Sequence, residues 1–131
     1  MGINTAGRLV GCLSGIVLGT AAQAADSGPA HKWRIDLNHQ TENHGTLILR
    51  IAPVDGTPID VETKFPADMN ENHAARLLCD TLQASLDEQV YHIERDDGED
   101  CLIKVRHNAP KFVVTLVSST LTGLAVSIKH D

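Results

Sequence analysis

IDVETKFPADMNENHAARLLCDTLQASLDE, residues 59–88, is the stretch in which the hydrophobic period changes and the fold class is decided. Ile59, Val61, Thr63 and Phe65 alternate with Asp60, Glu62 and Lys64, the period of two of a half-buried strand. Past Pro66 the period becomes helical. Ala75, Leu78, Cys79, Leu82 and Leu86 recur at helical spacing, while Arg76, Asp80, Gln83 and Asp87 fall largely on the opposite side. The spacing predicts one amphipathic helix over roughly Met69–Glu88, entered through a capping box formed by Asp68 and Glu71.

Upstream of this stretch the period of two returns. Trp33, Ile35 and Leu37 alternate with Arg34, Asp36 and Asn38, and His39–Gly45 is polar and loop-like. Thr46–Ala52 is a second strand, with Leu47, Leu49 and Ile51 on one face. Asp55-Gly56, between two prolines, marks a hairpin turn into the Ile59–Phe65 strand. Downstream, strands are expected at Val90–Arg95, Cys101–Arg106, Phe112–Val117 and Leu124–Ile128, separated by Asp96–Asp100, His107–Pro110 and Ser118–Gly123. The continuously apolar, β-branched run Phe112–Val117 reads as a strand covered on both faces. The expected fold is therefore α+β: one antiparallel sheet of about seven strands, order β-β-β-α-β-β-β-β, with the helix packed on one face.

The amino terminus lies outside that pattern. In MGINTAGRLVGCLSGIVLGTAAQA, residues 1–24, Arg8 precedes a short apolar stretch and Ala22-Gln23-Ala24 fits a cleavage site. This is the layout of a bacterial secretory signal peptide cut after Ala24, and it is too short and too diluted by Gly, Ser and Thr for a membrane span. Leu9-Val10-Gly11-Cys12 resembles a lipobox, but most of the apolar stretch follows the cysteine instead of preceding it. Residues 25–32 read as a flexible leader and 33–131 as a single domain. The expected location is the periplasm or the extracellular space. Removing 24 of 131 residues leaves 107, and the ten remaining basic residues against 17 acids give a charge of −7. Cys79 and Cys101 remain as a pair. In an exported protein they are expected to form a disulfide between helix and sheet.

The composition excludes several functions. An acidic chain lacks the clustered cations that nucleic-acid phosphates require. Four mature aromatic residues, Trp33, Phe65, Tyr91 and Phe112, all sit in strand patterns and leave no stacking platform. No Gly-rich phosphate loop or nucleophile elbow is present, so no cofactor is expected, and an enzyme is the less favoured reading. Ser118, Ser119 and Thr120 lack a recognisable partner base in sequence. The best local metal-ligand group is His39, Glu42 and His44, although their spacing matches no established zinc pattern. Asp96, Asp97, Glu99 and Asp100 carry oxygens suited to calcium, but they do not follow the EF-hand loop and read better as a solvated acidic turn. What remains is a small exported module that binds another protein. The alternatives are a divalent-metal protein using the histidine-bearing loop, and a small secreted hydrolase with a spatially assembled site. No membrane-integral role is expected.

Overall fold

The computed structural model describes residues 28–130, so the signal segment 1–24 and the first part of the leader lie outside the described residues. Seven antiparallel strands and one helix follow the expected order: β1 Lys32–His39, β2 Gly45–Pro53, β3 Ile59–Phe65, α1 Glu71–Ser85, β4 Tyr91–Asp96, β5 Asp100–Val105, β6 Phe112–Ser119 and β7 Leu124–His130. The α+β class and the antiparallel pairing stand. The single sheet does not: the strands divide into a four-stranded sheet, β4-β5-β1-β7, and a three-stranded sheet, β3-β2-β6.

The division has a local cause. β1 and β2 are not a hairpin but the two halves of one bent strand, and β7 and β6 pair with them as a second bent strand. Trp33–His39 pair with Leu124–His130 on one side of the bend, and Leu47–Pro53 with Phe112–Ser119 on the other. At the corner His39 takes φ 73° and Gly123 takes φ 88°. The two connecting loops are laced together there: Glu42 N–H donates to Thr122 O at 2.8 Å, Asn43 Nδ2 donates to Thr120 O at 2.9 Å, and Thr122 N–H donates to Asn43 Oδ1 at 2.9 Å. A side chain at residue 123 would place its Cβ 2.5 Å from both Gln40 O and Glu42 Cγ, in a conformation that glycine alone adopts freely. Gly123→Ala is expected to cost about 2–3 kcal/mol by urea denaturation, because both backbone strain and a backbone clash must be absorbed. Gly28→Ala, with nothing within 4 Å of the added carbon, should leave the transition unchanged.

The same ribbon is tied at its far end. Ala30 N–H donates to Phe112 O at 3.0 Å and Phe112 N–H to Ala30 O at 2.9 Å, so residues 30–32 belong to the paired structure and not to a leader. The inner faces of the two sheets then meet. Trp33, Ile35 and Leu37 from β1, Leu47, Leu49 and Ile51 from β2, and Phe112 and Val114 from β6 are buried. Helix α1 fills the remaining gap, lying against β3 of one sheet and against β4, β1 and β5 of the other. Its buried face is Ala74, Ala75, Leu78, Cys79 and Leu82, the stripe expected from the periodicity, and burial of Leu78 and Leu82 contributes about 2 kcal/mol each. Cys79 and Cys101 form a disulfide with Cα atoms 5.7 Å apart, linking α1 to β5 as anticipated.

Two local expectations are corrected. The helix is shorter than Met69–Glu88, and its cap is Asn70, whose Oδ1 accepts from His73 N–H at 2.9 Å. Asp68 cannot cap because it stands before the helix at φ 62°, with its N–H given to Thr41 O. β6 is not covered on both faces. Phe112 and Val114 are buried, but Val117, Ser118 and Ser119 are exposed, because β6 is the edge of the smaller sheet.

Candidate functional site

The polar face of the larger sheet collects charge in a defined row. β1, β4 and β5 bring Asp36 opposite Asp100, and Asp100 opposite Asp96. Like charges directly opposed on neighbouring strands repel. Arg34, two residues along β1 on the same face, offsets part of this. Its Nη1 donates to Asp96 Oδ2 at 3.0 Å and to Asp100 Oδ2, and these contacts raise the guanidinium pKa further. Burial, and then the facing Asp100 carboxyl, push the Asp36 pKa up, while Lys129 opposes the shift.

Two further acids join from above. The β4–β5 turn packs on the start of α1, where a Cβ on Gly98 would stand 3.0 Å from Asn72 Oδ1. Glu99 from this turn and Glu71 from the helix bring their carboxyls into hydrogen-bond contact. Glu71 Oε1 also accepts the His39 backbone N–H at 2.8 Å. The expected capping-box glutamate is thus used to tie its helix to the corner of β1. Thr41 reinforces the tie: it is fully buried, its Oγ1 donates to Pro66 O at 2.6 Å, and it accepts Met69 N–H at 2.8 Å.

The Glu71 contact pushes Glu99 up to about 7, whereas Glu71, which accepts from Glu99 and from His39, is held below the usual carboxylate range. A raised acid in the folded state retains a proton that the unfolded chain has lost. The stability it contributes is complete below the ordinary glutamate range and declines as pH rises through about 7. The lowered Glu71 acts in the opposite sense, and its contribution is lost only as pH falls below the ordinary range. Scanning calorimetry is therefore expected to show the melting temperature falling from mildly acidic to mildly alkaline pH. Glu99→Gln should remove most of that fall; an unchanged slope would show that Glu99 does not carry it.

Of the residues expected to bind metal, His39 meets this row through its backbone N–H on Glu71, and neither its ring nor Glu42 nor His44 joins the clustered carboxylates. His39 is exposed at the end of β1, Glu42 lies against Gly123 at the corner, and His44 opens onto a shallow cleft of about 480 Å³ that it shares with Lys64, Phe65 and Thr120. Among the described residues, the one set of three or more His, Cys, Asp or Glu ligand atoms within 4.8 Å of one another is Asp96, Asp97 and Asp100. It does not include His39, Glu42 or His44. None of the seven histidines is buried. Ser119 and Thr120 hydroxyls accept the Leu121 and Thr46 backbone N–H groups and so serve the connector.

The other notable surface is the free edge of β6. Its sequence, FVVTLVSS, carries no charge over eight residues. The other three edge strands all carry charge: Asp60, Glu62 and Lys64 on β3, Glu94, Arg95 and Asp96 on β4, and Lys129 on β7. A shift of register at Ile48/Leu49 leaves Val117 as an extra residue, 42% exposed.

Sequence reasoning picked out the turn acids but missed Asp36 and Glu71 as their neighbours. Asp36 sits on the polar side of a strand whose partners sequence does not reveal, and the capping-box spacing points Glu71 at its own helix. Comparison with known proteins finds no family model, no curated relative and no solved structure that the chain matches. No described helix is long and apolar enough to cross a membrane.

Proposed function

We propose that this chain is a small exported binding module that captures an extended segment of another polypeptide along β6. The observation that carries the reading is the uncharged open edge. Sheets protect such edges with charge, proline or cover, because unpaired N–H and C=O groups template a further strand. β3, β4 and β7 follow that rule and β6 does not. Addition of a strand to a sheet edge draws affinity from main-chain hydrogen bonds and specificity from the flanking side chains, here Val113, Thr115 and Val117. The pairing of Ala30 with Phe112 limits the available length to Val113–Ser119. The signal-like segment 1–24 and a disulfide that suits an oxidising compartment support the exported setting.

The experiment is affinity capture from the cell envelope, followed by hydrogen exchange on the recovered complex. Wild-type protein should retain a partner that Val117→Lys releases, and amides 113–119 should become protected in the complex. A partner held equally well by Val117→Lys, or protection confined to another face, would overturn the reading. Sedimentation of the purified chain distinguishes a foreign segment from a second copy of the same strand.

A further inference from the structure

The chain's own leader arrives at the free edge of β6. Ala30 N–H donates to Phe112 O at 3.0 Å, and Phe112 N–H donates to Ala30 O at 2.9 Å, an isolated antiparallel bridge. One residue earlier, Lys111 O accepts the N–H of Val54, just past the end of β2. Successive residues of a strand turn their backbone groups to opposite sides, so Phe112 faces away from β2 and Ala30 stands on the open side of β6. In such a ladder the bonded positions recur at every second residue. The next backbone groups facing the open side belong to Val114 and Leu116, and the register of the bridge sets Gly28 and Asp26 opposite them. The pairing ends at Ala30, and the chain bends at Gly28. Gly28 is exposed, and even an added Cβ there would meet nothing within 4 Å, which leaves room for the bend to straighten.

We infer that residues 25–29 are a displaceable cover for the β6 edge, laid down as a further antiparallel strand that a captured segment must lift off. The inference deepens the capture reading above, and its regulatory sense rests on that reading. Pro29 falls opposite Val113, at a position whose backbone bonds nothing on β6, so its missing N–H is tolerated there. Ser27 falls opposite Thr115, a hydroxyl pair of the kind favoured across strands. Five residues at about 3.3 Å each reach from Val113 to Val117, most of the free edge. The cover also supplies what β6 lacks: Asp26 gives the new outer strand a charge and Pro29 a missing donor, two of the devices that blunt sheet edges. A cut after Ala24 leaves all five residues on the chain. Tethered next to the bridge, they reach the edge at a local concentration that a second copy of the chain does not match.

The test is hydrogen exchange on the purified chain, read at the Val114 and Leu116 amides. Four forms are compared: wild type, Gly28→Pro, Ser27→Pro and a chain lacking residues 25–29. Gly28→Pro removes the N–H that Val114 O would accept, whereas Ser27→Pro removes one that would face away from β6. Two bonded pairs, offset by the ordering of five residues, are worth on the order of tenfold in equilibrium. Both amides should therefore exchange about tenfold faster in Gly28→Pro and in the shortened chain than in wild type, and Ser27→Pro should match wild type. Equal exchange in all four forms would overturn the proposal. So would protection that fades when the wild-type chain is diluted, which would assign the edge to a second copy. The same forms are then titrated with a capped heptapeptide of alternating valine and threonine. An edge open about one-tenth of the time weakens a competing strand by that factor, so Gly28→Pro should bind the peptide about tenfold more tightly than wild type. Equal affinity for those two forms would overturn the regulatory role. Peptide binding by none of the forms, with the exchange contrast intact, would refute capture at β6 and leave the cover standing.

Discussion

Trp33→Ala is expected to destabilise the protein by about 4 kcal/mol, a large part of the roughly 5–10 kcal/mol that holds a domain of this size. Trp33 is 1% exposed and stands where the larger sheet meets the start of β6 in the smaller one. Its indole Nε1 donates to Phe112 O at 2.7 Å, and its ring meets His130 edge-on with centroids 4.9 Å apart. Alanine removes the ring from the core and leaves a cavity between the sheets. Trp33→Phe separates the two contributions. It keeps most of the apolar contact and loses the indole donor, while Phe112 O keeps the Ala30 N–H. That variant should cost about 1–2 kcal/mol. Because the chain has one tryptophan, circular dichroism in urea is the measurement. An alanine variant within about 1 kcal/mol of wild type would show that Trp33 does not join the sheets in solution.

The strands and the helix were legible because each buries one side. Alternation of Trp33, Ile35 and Leu37, and the helical spacing of Ala75, Leu78, Cys79 and Leu82, are local consequences of a nonlocal core, so they survive in the sequence. The choice of partner strand is not local. A polar run of the length of His39–Gly45 suits a hairpin as well as a bend, and the decision rests on contacts with Thr120 and Thr122 about 79 residues away. The positive φ of His39 is a second obstacle, since a non-glycine residue does not announce it. β6 misled for a related reason. Apolar continuity marks a strand buried on both faces in most sheets, but here half of it lies on an open edge.

The acidic site was half legible. Four of its acids are adjacent in Asp96–Asp100 and stand out as a turn. Asp36 enters through the register that sets it opposite Asp100, and Glu71 through a helix that is capped by Asn70 instead of Asp68. Both depend on where distant segments dock. The burial of Asp100, which sets it apart from the solvated acids of the turn, has no signature in composition or spacing.

Cys79→Ala combined with Cys101→Ala is expected to cost about 3 kcal/mol, the second of the two largest losses. The bridge closes a loop of 22 residues, and in the chain-entropy account its removal chiefly frees the unfolded state. Alanine is the appropriate replacement because both positions are buried, and a serine hydroxyl there would add an unsatisfied group. The denaturant slope should rise as the midpoint falls, since a more expanded unfolded chain exposes more surface. A loss below about 1 kcal/mol with an unchanged slope would contradict this account. The effect should also be uneven along α1. Its first turn is held independently by Asn70, by Thr41 and by Glu71 on the His39 N–H, whereas Cys79 sits in the second half. Hydrogen exchange in the variant should therefore accelerate most over residues 79–85 and least over 71–75. Uniform acceleration would mean that the helix is released as one unit and that the ties at its amino terminus contribute little.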